Sequence, residues 1–575
     1  MIRRPRALAL ALASLALAAP MTAQNGPPKD ARARVVPGRS VVHTRYGVVA
    51  TSSPLASSAG VQMLEQGGNA VDAAIAANAV LGLVEPTSNG IGGDLFAIVY
   101  EAKSGKLFGL NASGWSSTGQ TVAAMRARGH AKMPFRGVES VTVPGAVAGW
   151  DALRQRFARL GFDRLLAPAI RYAEDGFPVG EVTARAWHAS ESMLRGQNAA
   201  AATFLVNGRA PAEGELFRNP DLARTLRRIA EKGRDGFYRG PNAAAVVALV
   251  QGEGGTMTAA DLAEFDAEWV TPISTTYRGW TVSELPPNGQ GIAALLMLDL
   301  MARFPLGEWG LHDPRGLHVM IEAKKLAYAD MLRYVGDPRF GEIPVTALLD
   351  AARTEERARR LDPARAQCRV EPTELAGVSD MKGHDTIYLS TIDAEGNIVS
   401  LIQSNYSGFG SGLVAAGTGF MLQNRGALFT LEPGHPNTLE PRKRPLHTII
   451  PGFMAKGNER IGFGIMGGWN QAQAHAQFVS NVVDHGLSIQ QALEAGRFTK
   501  PTFEGCDVLV EDRVPAASRE ALVPFGHEVT VPRPRSGEFG FGQAVRDDGK
   551  GVHSGASDPR HDGAAIPQPV PLRAR

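Results

Sequence analysis

Thr386 and Ser404 carry hydroxyl groups that a predicted β-hairpin would bring together. The runs on either side are rich in β-branched residues, and the turn-forming segment 393–397 lies between them. If Ile392 pairs with Ile398, Ser404 lies directly across from Thr386, with the two Cβ atoms about 5 Å apart. Two hydroxyls would then face each other at the open end of the hairpin. Taken alone, the segment is also typical of an ordinary strand, because Thr is common in strands.

Length, charge and cysteine content limit the functional classes. The chain has 575 residues and a formal net charge of +3, which is small for this length and gives no case for a nucleic-acid partner. Its two cysteines, Cys368 and Cys506, are too few for a disulfide framework. A single bridge between them can form in an oxidising compartment, but the sequence does not decide it.

The N-terminus predicts export. Residues 1–23 combine a basic start, an apolar run at 7–19 and small residues near position 23, which is the pattern of a secretory signal peptide. The apolar run is shorter than the roughly 20 residues of a membrane-spanning helix. We therefore expect a secreted or periplasmic protein with no membrane span, and a flexible polar leader at 24–45.

The order of the predicted elements in the first part of the chain indicates the α/β fold class. A strand at 47–51 is followed by helices at 57–65 and 70–83, and then by strands at 96–100 and 107–110. Asn69 is expected to cap the second helix.

Glycine-rich and helical segments follow. Segment 90–94 (GIGGD) is predicted as a turn, since no Lys-Ser/Thr follows it as in a phosphate loop. Segment 151–252 is expected to be mostly helical, 277–287 to be a strand, and 317–331 to be a long helix. Segment 349–381 is rich in Arg, Ala, Glu and Pro and predicts a surface linker before Thr386.

Several motifs along the chain resemble, in the same order, segments of the γ-glutamyltransferase (γ-glutamyltranspeptidase) family. They are 67–74 (GGNAVDAA), 143–145 (VPG), 322–330 (EAKKLAYAD), 443–446 (KRPL), 558–560 (DPR) and the segment 383–391 (GHDTIYLST) around Thr386. The resemblance extends from about residue 46 to about residue 565.

This resemblance implies an N-terminal nucleophile hydrolase with a four-layer αββα sandwich. The protein would be made as a proenzyme and cut between Asp385 and Thr386, giving a large subunit (46–385) and a small subunit (386–575). Segments 46–348 and 386–565 would together form one folded domain. The two subunits would form a heterodimer, and two such heterodimers could associate further.

The resemblance also assigns the catalytic roles. Thr386 would be the nucleophile, and its freed α-amine, with a reference pKa of about 7.7 to 8, would be the base. Ser404 matches a family position whose hydroxyl orients that amine. The peptide N–H groups of Gly467 and Gly468 would hold the oxyanion, where one donor contributes about 2.7–4 kcal/mol to the barrier. No cofactor and no metal are expected.

The substrate-binding positions depart from the family pattern. His447 and Thr448 match a Ser-Ser pair that contacts the substrate carboxylate. Tyr406 stands where Asn is expected, and Arg425 and Leu428 stand where the family has Gln and then the Asp that holds the substrate α-amino group. Arg425 could replace the missing carboxylate clamp from another direction.

Two further positions belong to the predicted substrate pocket. The segment 111–117, which contains Trp115, lacks the arginine that clamps the α-carboxylate in γ-glutamyl-binding members. The patterns 403–406 (QSNY), 286–291 (PPNGQG) and 423–426 (QNRG), the last containing Asn424, resemble a divergent branch of the family. That branch includes oxamate amidohydrolase-like and cephalosporin acylase-like members.

The leading functional hypothesis is a self-processing γ-glutamyltransferase or glutathione hydrolase. It would cleave the γ-glutamyl amide of glutathione-like compounds and pass the acyl group to water or to an amino acid. The alternative is an amidohydrolase or acylase of the same family acting on another small carboxylated amide. Further alternatives are an uncut binding homologue and a metal enzyme, although the histidines considered as ligands are scattered along the chain: His384, His447, His475 and His485.

Overall fold

The computed structural model describes residues 35–371, 385–534 and 536–571. The predicted signal peptide, the first part of the predicted leader and the end of the predicted linker lie outside these residues. No helix in the described ranges combines the length and the apolar character that crossing a membrane would require.

Nineteen strands are found in the described part of the chain, and we number them in chain order. They are β1 (Val42–Thr44), β2 (Val48–Thr51), β3 (Asp94–Glu101), β4 (Lys106–Ala112), β5 (Phe177–Pro178), β6 (Leu216–Phe217), β7 (Glu268–Val270), β8 (Ile273–Tyr277), β9 (Trp280–Glu284), β10 (Asp385–Ile392), β11 (Ile398–Tyr406), β12 (Gly452–Lys456), β13 (Glu459–Ile465), β14 (Phe498–Thr499), β15 (Asp507–Val510), β16 (Glu528–Thr530), β17 (Gly542–Asp547), β18 (His553–Ser557) and β19 (Ala564–Pro567).

The longer helices of the described residues are numbered in the same way. They are α1 (Pro54–Glu65), α2 (Ala70–Val84), α3 (Ala146–Phe157), α4 (Ala167–Asp175), α5 (Glu181–Ala189), α6 (Pro220–Lys232), α7 (Gly240–Gly252), α8 (Gly291–Met301), α9 (Pro314–Tyr334), α10 (Ala351–Arg360) and α11 (Gln471–Val483). Shorter helices lie at Val122–Ala127, Phe162–Leu165, Glu191–Leu194, Asn198–Phe204, Asp235–Tyr238, Ala259–Ala263, Leu306–Trp309, Val345–Leu348, Ile489–Glu494 and Ala516–Glu520.

Two seven-stranded sheets stack face to face between two layers of helices. One sheet has the order β1-β18-β17-β13-β12-β9-β8, and the other has the order β19-β2-β10-β11-β3-β4-β7. Helix α2 packs on β10 and β11 of the second sheet, and α8 and α11 pack on the first. The expected four-layer αββα sandwich of the α/β class is therefore confirmed.

The apolar layer between the sheets explains why the central strands are buried on both faces. Phe96 and Ile402 of the second sheet pack there with Ile449 and with Phe453 of the first. Because both faces of β11 are covered, its whole length is buried, and the register of the hairpin is fixed by packing as well as by the turn.

The hairpin of β10 and β11 has the predicted register over most of its length. Ile392 pairs with Ile398, and the ladder runs without a shift as far as Ile387 and Gln403. The predicted cap is also present: the Asn69 side chain accepts from the peptide N–H groups of Val71 and Asp72, and the Asp72 carboxylate accepts from the Asn69 N–H.

The leader and the linker are more ordered than the sequence indicates. Residues 42–44, assigned to the flexible leader, form β1 and pair with β18. Within the predicted linker, residues 351–360 form α10, where the buried Arg357 pairs with Asp330. The predicted strand 277–287 is divided, because Arg278 and Gly279 have positive φ and make the turn between β8 and β9.

A disulfide joins Cys368 to Cys506, which settles a pairing that the sequence leaves open. The peptide N–H of Gly505 donates to the Cys368 carbonyl at 2.6 Å, and the N–H of Ala366 donates to the Phe525 carbonyl at 2.7 Å. The segment before the expected cut is thus fastened to the part of the chain that follows it.

We expect this disulfide to keep the two products of a cut between residues 385 and 386 covalently joined, because Cys368 precedes the cut and Cys506 follows it. The cut protein should run as one band on a denaturing gel without reductant and as two bands with it. A Cys368→Ser variant should give two bands under both conditions. Two bands from the unreduced wild-type protein would contradict the expectation.

Candidate active site

Thr386 lies at the start of β10 against the end of β11. Its hydroxyl donates a hydrogen bond to Ser404 Oγ at 3.0 Å, and Ser404 Oγ also accepts from the peptide N–H of Tyr406 at 2.8 Å. Both hydroxyl side chains are buried. The ladder shifts between Asp385 and Ile387, so Thr386 and Ser404 are not a regular strand pair, yet the expected contact of the two hydroxyls is present.

Strand β13 of the opposite sheet leads from the middle of this hairpin to the predicted oxyanion donors. A Cβ atom on Gly464 would collide with the Tyr388 ring, so β10 and β13 are in close contact there. The two strands run in opposite directions across this contact. Gly464 faces Tyr388 and Gly462 faces Ser390. Continuing this count by two residues, we infer that Thr386 faces Met466, which directly precedes the turn at 467–468.

The turn at Gly467 and Gly468 connects β13 to α11. Both residues have positive φ, 125° and 58°, a conformation that side chains other than glycine rarely adopt. Helix α11 begins just beyond, at Gln471, and the peptide N–H groups at the start of a helix carry partial positive charge. Such donors suit an oxyanion, which is the role that the sequence predicts for both glycines.

Arg425 is fully buried beside Thr448 and Tyr406. Its Nη1 donates to Thr448 Oγ1 at 2.6 Å, and its guanidinium lies over the Tyr406 ring at 4.8 Å. Its Nε and Nη2 have no hydrogen-bond partner among the described residues. Burial lowers the pKa of Arg425 to about 10, while the negative charge of Asp94 opposes that fall. Arg425 is therefore a cation at neutral pH with two unused donors.

Both ring nitrogens of His447 are hydrogen-bonded within the protein. Its Nδ1 accepts from the peptide N–H of Ile449 at 3.3 Å, so its Nε2 carries the proton and donates to Asp94 Oδ2 at 3.0 Å. Burial, together with the charge of Arg425, keeps the pKa of His447 well below its usual value. His447 is thus a neutral, buried neighbour of Thr448, and the substrate contacts predicted for both residues stay predictions.

Asn424 also uses its side chain within the protein. Its Nδ2 donates to the Phe135 carbonyl at 2.8 Å, and its Oδ1 accepts from the peptide N–H of Ser407 at 3.2 Å. Asn424 therefore joins the loop before Arg425 to two neighbouring loops.

Trp115 packs against the segment 259–265. Its ring lies edge-on to Phe265, with centroids 5.1 Å apart, and its Nε1 donates to the Asp261 carbonyl at 3.3 Å. The adjacent Gly114 N–H points to Asp94. The place of Trp115 in the substrate pocket stays a prediction.

Gln290 and Asn405 are polar residues near the site that the sequence does not single out. The buried Gln290 donates from Nε2 to the carbonyls of Thr448 and Gly468. The buried Asn405 has neither side-chain atom paired within the described residues. Gln290 lies in the pattern 286–291 and Asn405 in the pattern 403–406, both of which resemble the divergent branch of the family. These patterns are the sequence feature that could have pointed to the two residues.

A cavity of about 760 Å³ lies beside this cluster. Trp469, which follows the glycine turn, is in its wall, and so is Leu428, which ends the short helical turn begun by Arg425. Its wall is largely apolar and includes Met133, Phe135, Leu428, Phe429, Leu446 and Trp469, while Arg126, His130 and Lys132 bring basic groups to it.

A histidine-carboxylate group lies elsewhere, at the contact between α9 and the segment before β16. Ligand-type atoms of His318, Glu322 and His527 lie within 4.8 Å of one another. His318 Nδ1 and His527 Nε2 are hydrogen-bonded at 2.8 Å, and Glu322 pairs with Lys325 at 2.7 Å. These groups already bind one another and a lysine, so we assign them no metal.

The stacked sheets and the buried threonine at the start of a central strand define the class of N-terminal nucleophile hydrolases. The family model described as Gamma-glutamyltranspeptidase matches residues 56–568. The chain therefore belongs to the γ-glutamyltranspeptidase family.

Three proteins similar to this chain carry different names. The glutathione hydrolase-like YwrD proenzyme of Bacillus subtilis is 37% identical over 92% of this chain and 99% of its own. The oxamate amidohydrolase proenzyme of Klebsiella pneumoniae is 34% identical over 90% and 98%. The crystal structure of a cephalosporin acylase from Bacillus halodurans matches with a TM-score of 0.84 and 42% identity, covering 92% of this chain and 97% of that one.

Replacing Ser404 with Ala should slow self-cleavage by roughly 5- to 150-fold, the range expected from losing about 1–3 kcal/mol of buried hydrogen bonding. The reason is that the hydroxyl that accepts from Thr386 and from the Tyr406 N–H would be gone. The fraction of cut chain over time, measured by intact mass, checks this. Ser404→Thr keeps the hydroxyl and serves as the control, and cutting of the Ala variant at the wild-type rate would contradict the prediction.

Proposed function

We propose that the protein is a self-processing amide hydrolase whose nucleophile is Thr386 and whose substrates carry a carboxylate on the acyl group. The observation that carries the second half of this proposal is the buried Arg425, with two donors unused and the Thr448 hydroxyl at its side. A buried cation with free N–H groups favours an anionic ligand, and guanidinium groups match carboxylates in geometry.

The maturation step needs only the chain and one water molecule. The Thr386 hydroxyl attacks the Asp385 carbonyl carbon, and the chain shifts from the nitrogen to the oxygen of Thr386 to give an ester. Water then attacks the ester carbonyl, releasing the Asp385 carboxylate and the Thr386 hydroxyl. The new α-amine of Thr386 becomes the base for later turnover.

In turnover the α-amine takes the proton from the Thr386 hydroxyl as the oxygen attacks the substrate amide carbonyl. The N–H groups of Gly467 and Gly468 stabilise the resulting oxyanion. The proton passes to the leaving amine, and the acyl group remains on Thr386 as an ester. Attack by water completes hydrolysis, and attack by an amine would complete transfer.

The pocket favours acyl groups that lack an α-amino group. Leu428 is apolar and lies in the cavity wall, at the position where γ-glutamyl-binding members have an aspartate. An ammonium group placed against Leu428 would lose hydration there, and the Leu428 side chain offers it no charge in return. A dicarboxylic acid monoamide therefore fits better than a γ-glutamyl amide.

Hydrolysis of γ-glutamyl amides is the second candidate function. It is favoured by the likeness to the glutathione hydrolase-like proenzyme of Bacillus subtilis, which matches nearly the whole chain. The two candidate functions use the same nucleophile, oxyanion donors and carboxylate clamp. They differ only in whether the site accommodates an α-amino group on the acyl chain.

Self-processing is tested with a Thr386→Ala variant. The wild-type protein should contain a small chain that begins Thr386-Ile387-Tyr388, whereas the variant should remain uncut, because it lacks the attacking hydroxyl. N-terminal sequencing and intact mass give the result. An uncut wild-type chain, or a variant cut at the same bond, would overturn the assignment of Thr386.

The clamp is tested with three p-nitroanilides that share a leaving group. Glutaryl carries the carboxylate, γ-glutamyl adds the α-amino group, and butyryl lacks both. The wild-type enzyme should turn over glutaryl with the highest kcat/KM, and Arg425→Gln should raise KM for glutaryl by roughly 10- to 100-fold, as expected for losing a charged hydrogen bond.

Butyryl p-nitroanilide is the internal control for Arg425→Gln, since its KM should change little. Faster turnover of γ-glutamyl than of glutaryl would instead select the glutathione hydrolase reading. Equal turnover of butyryl and glutaryl by the wild-type enzyme would contradict a carboxylate clamp altogether.

A further inference from the structure

Gln290 contacts both the carboxylate clamp and the glycine turn, which have separate roles in the proposed mechanism. It is fully buried just before α8. Its Nε2 donates one hydrogen bond to the Thr448 carbonyl and a second, at 2.8 Å, to the Gly468 carbonyl. Both N–H bonds of one planar amide group are thus used, each by a different segment of the chain.

The two carbonyls belong to residues with different tasks. Thr448 accepts a hydrogen bond from Arg425 through its side chain and so forms part of the carboxylate clamp. Gly468 supplies one of the predicted oxyanion donors. The amide of Gln290 therefore spans the gap between the group that would hold the acyl carboxylate and the group that would hold the reacting carbonyl oxygen.

The backbone around Gln290 is fixed on the clamp side. Its peptide N–H donates to the His447 carbonyl at 2.9 Å, and the His447 N–H donates to the Asn288 carbonyl at 2.8 Å. These two bonds hold the segment 288–290 alongside Thr448. Movement of the clamp relative to Gln290 would break both of them.

The side chain is fixed on the oxyanion side. The Tyr328 hydroxyl donates its one proton to the Trp469 carbonyl at 2.5 Å, and its oxygen lies 3.4 Å from Gln290 Oε1. Tyr328 and Gln290 therefore hold the carbonyls of two consecutive residues, Gly468 and Trp469. The amide orientation follows from this network, because both groups facing Nε2 are acceptors.

We propose that Gln290 is a positioning residue that sets the spacing between the carboxylate clamp and the oxyanion donors, and thereby the length of the acyl chain that the site accepts. This inference rests on the proposed function, since it needs a substrate that occupies both ends. Small displacements matter here, because a shift of about 1 Å in a reacting group can cost roughly 100-fold in rate.

The test measures acyl-length selectivity with succinyl, glutaryl and adipyl p-nitroanilides, which differ by one methylene at each step. The wild-type enzyme should have a sharp optimum within this series. Gln290→Met keeps the size of the side chain but removes both donors. We expect it to flatten the optimum, lowering the ratio of kcat/KM between the best and the other chain lengths by roughly 10-fold or more.

Gln477→Met is the matched control. Gln477 is a buried glutamine on α11 whose Nε2 also donates to two backbone carbonyls, those of Gln473 at 3.1 Å and Phe498 at 3.0 Å. Neither of these two hydrogen bonds involves the clamp residues Arg425 and Thr448 or the turn at Gly467 and Gly468. Loss of stability alone would act similarly in both variants, whereas only Gln290→Met should change the selectivity ratio.

The outcomes separate this inference from the proposed function. If the wild-type enzyme does not prefer carboxylated acyl groups over butyryl, the proposed function fails. If it does, and Gln290→Met keeps the wild-type length optimum and ratio, the positioning role is overturned while the function stands.

A Gln290→Met chain that fails to mature would be replaced by Gln290→Asn, which shortens the side chain by one methylene and withdraws its amide donors from the Thr448 and Gly468 carbonyls. A flatter length optimum in this variant supports the role of Gln290. An unchanged optimum overturns it.

Discussion

The buried carboxylate of Asp94 is the interaction on which the arrangement of the site depends. It accepts hydrogen bonds from segments that are far apart in the chain, and these donors are Gly114 N–H, Gly145 N–H, Gln423 Nε2 and His447 Nε2. A buried charge is costly unless such partners surround it. The loops that carry these donors are therefore held in one mutual arrangement, with Asp94 on a central strand as the fixed point.

The same carboxylate balances the cation of the clamp. Burial raises the pKa of Asp94 to about 7, and the positive charge of Arg425 works against that rise. Arg425 follows Gln423 by two residues, and Thr448 follows His447 directly, so both ends of the clamp are next to a residue that Asp94 holds. Charge compensation and loop placement thus come from one side chain.

Local sequence patterns were sufficient for the parts of the fold that depend on neighbours in the chain. The turn at 393–397 and the β-branched strands around it are enough for the hairpin, and Asn69 for the start of α2. The predicted register brings Thr386 close to Ser404, although the ladder shifts just before that pair. The order of elements indicated the α/β class, whereas the four-layer sandwich and the catalytic roles came from the motif resemblance.

The rest depends on contacts between distant segments, which no local pattern encodes. Gln290 reaches carbonyls 158 and 178 residues away, and a glutamine next to a glycine gives no sign of this in the sequence. The edge-on contact of the Trp115 ring with Phe265 is of the same kind. Pairing of β1 with β18 likewise joins the two ends of the chain.

The disulfide between Cys368 and Cys506 has a thermodynamic consequence once the chain is cut. For two separate polypeptides, unfolding includes dissociation, so the apparent stability falls on dilution. A covalent tether replaces that bimolecular step with an intramolecular one, in which each partner experiences an effective concentration on the order of millimolar. The cut protein would then unfold and refold as a single molecule, with a melting temperature that is the same at high and at very low protein concentration.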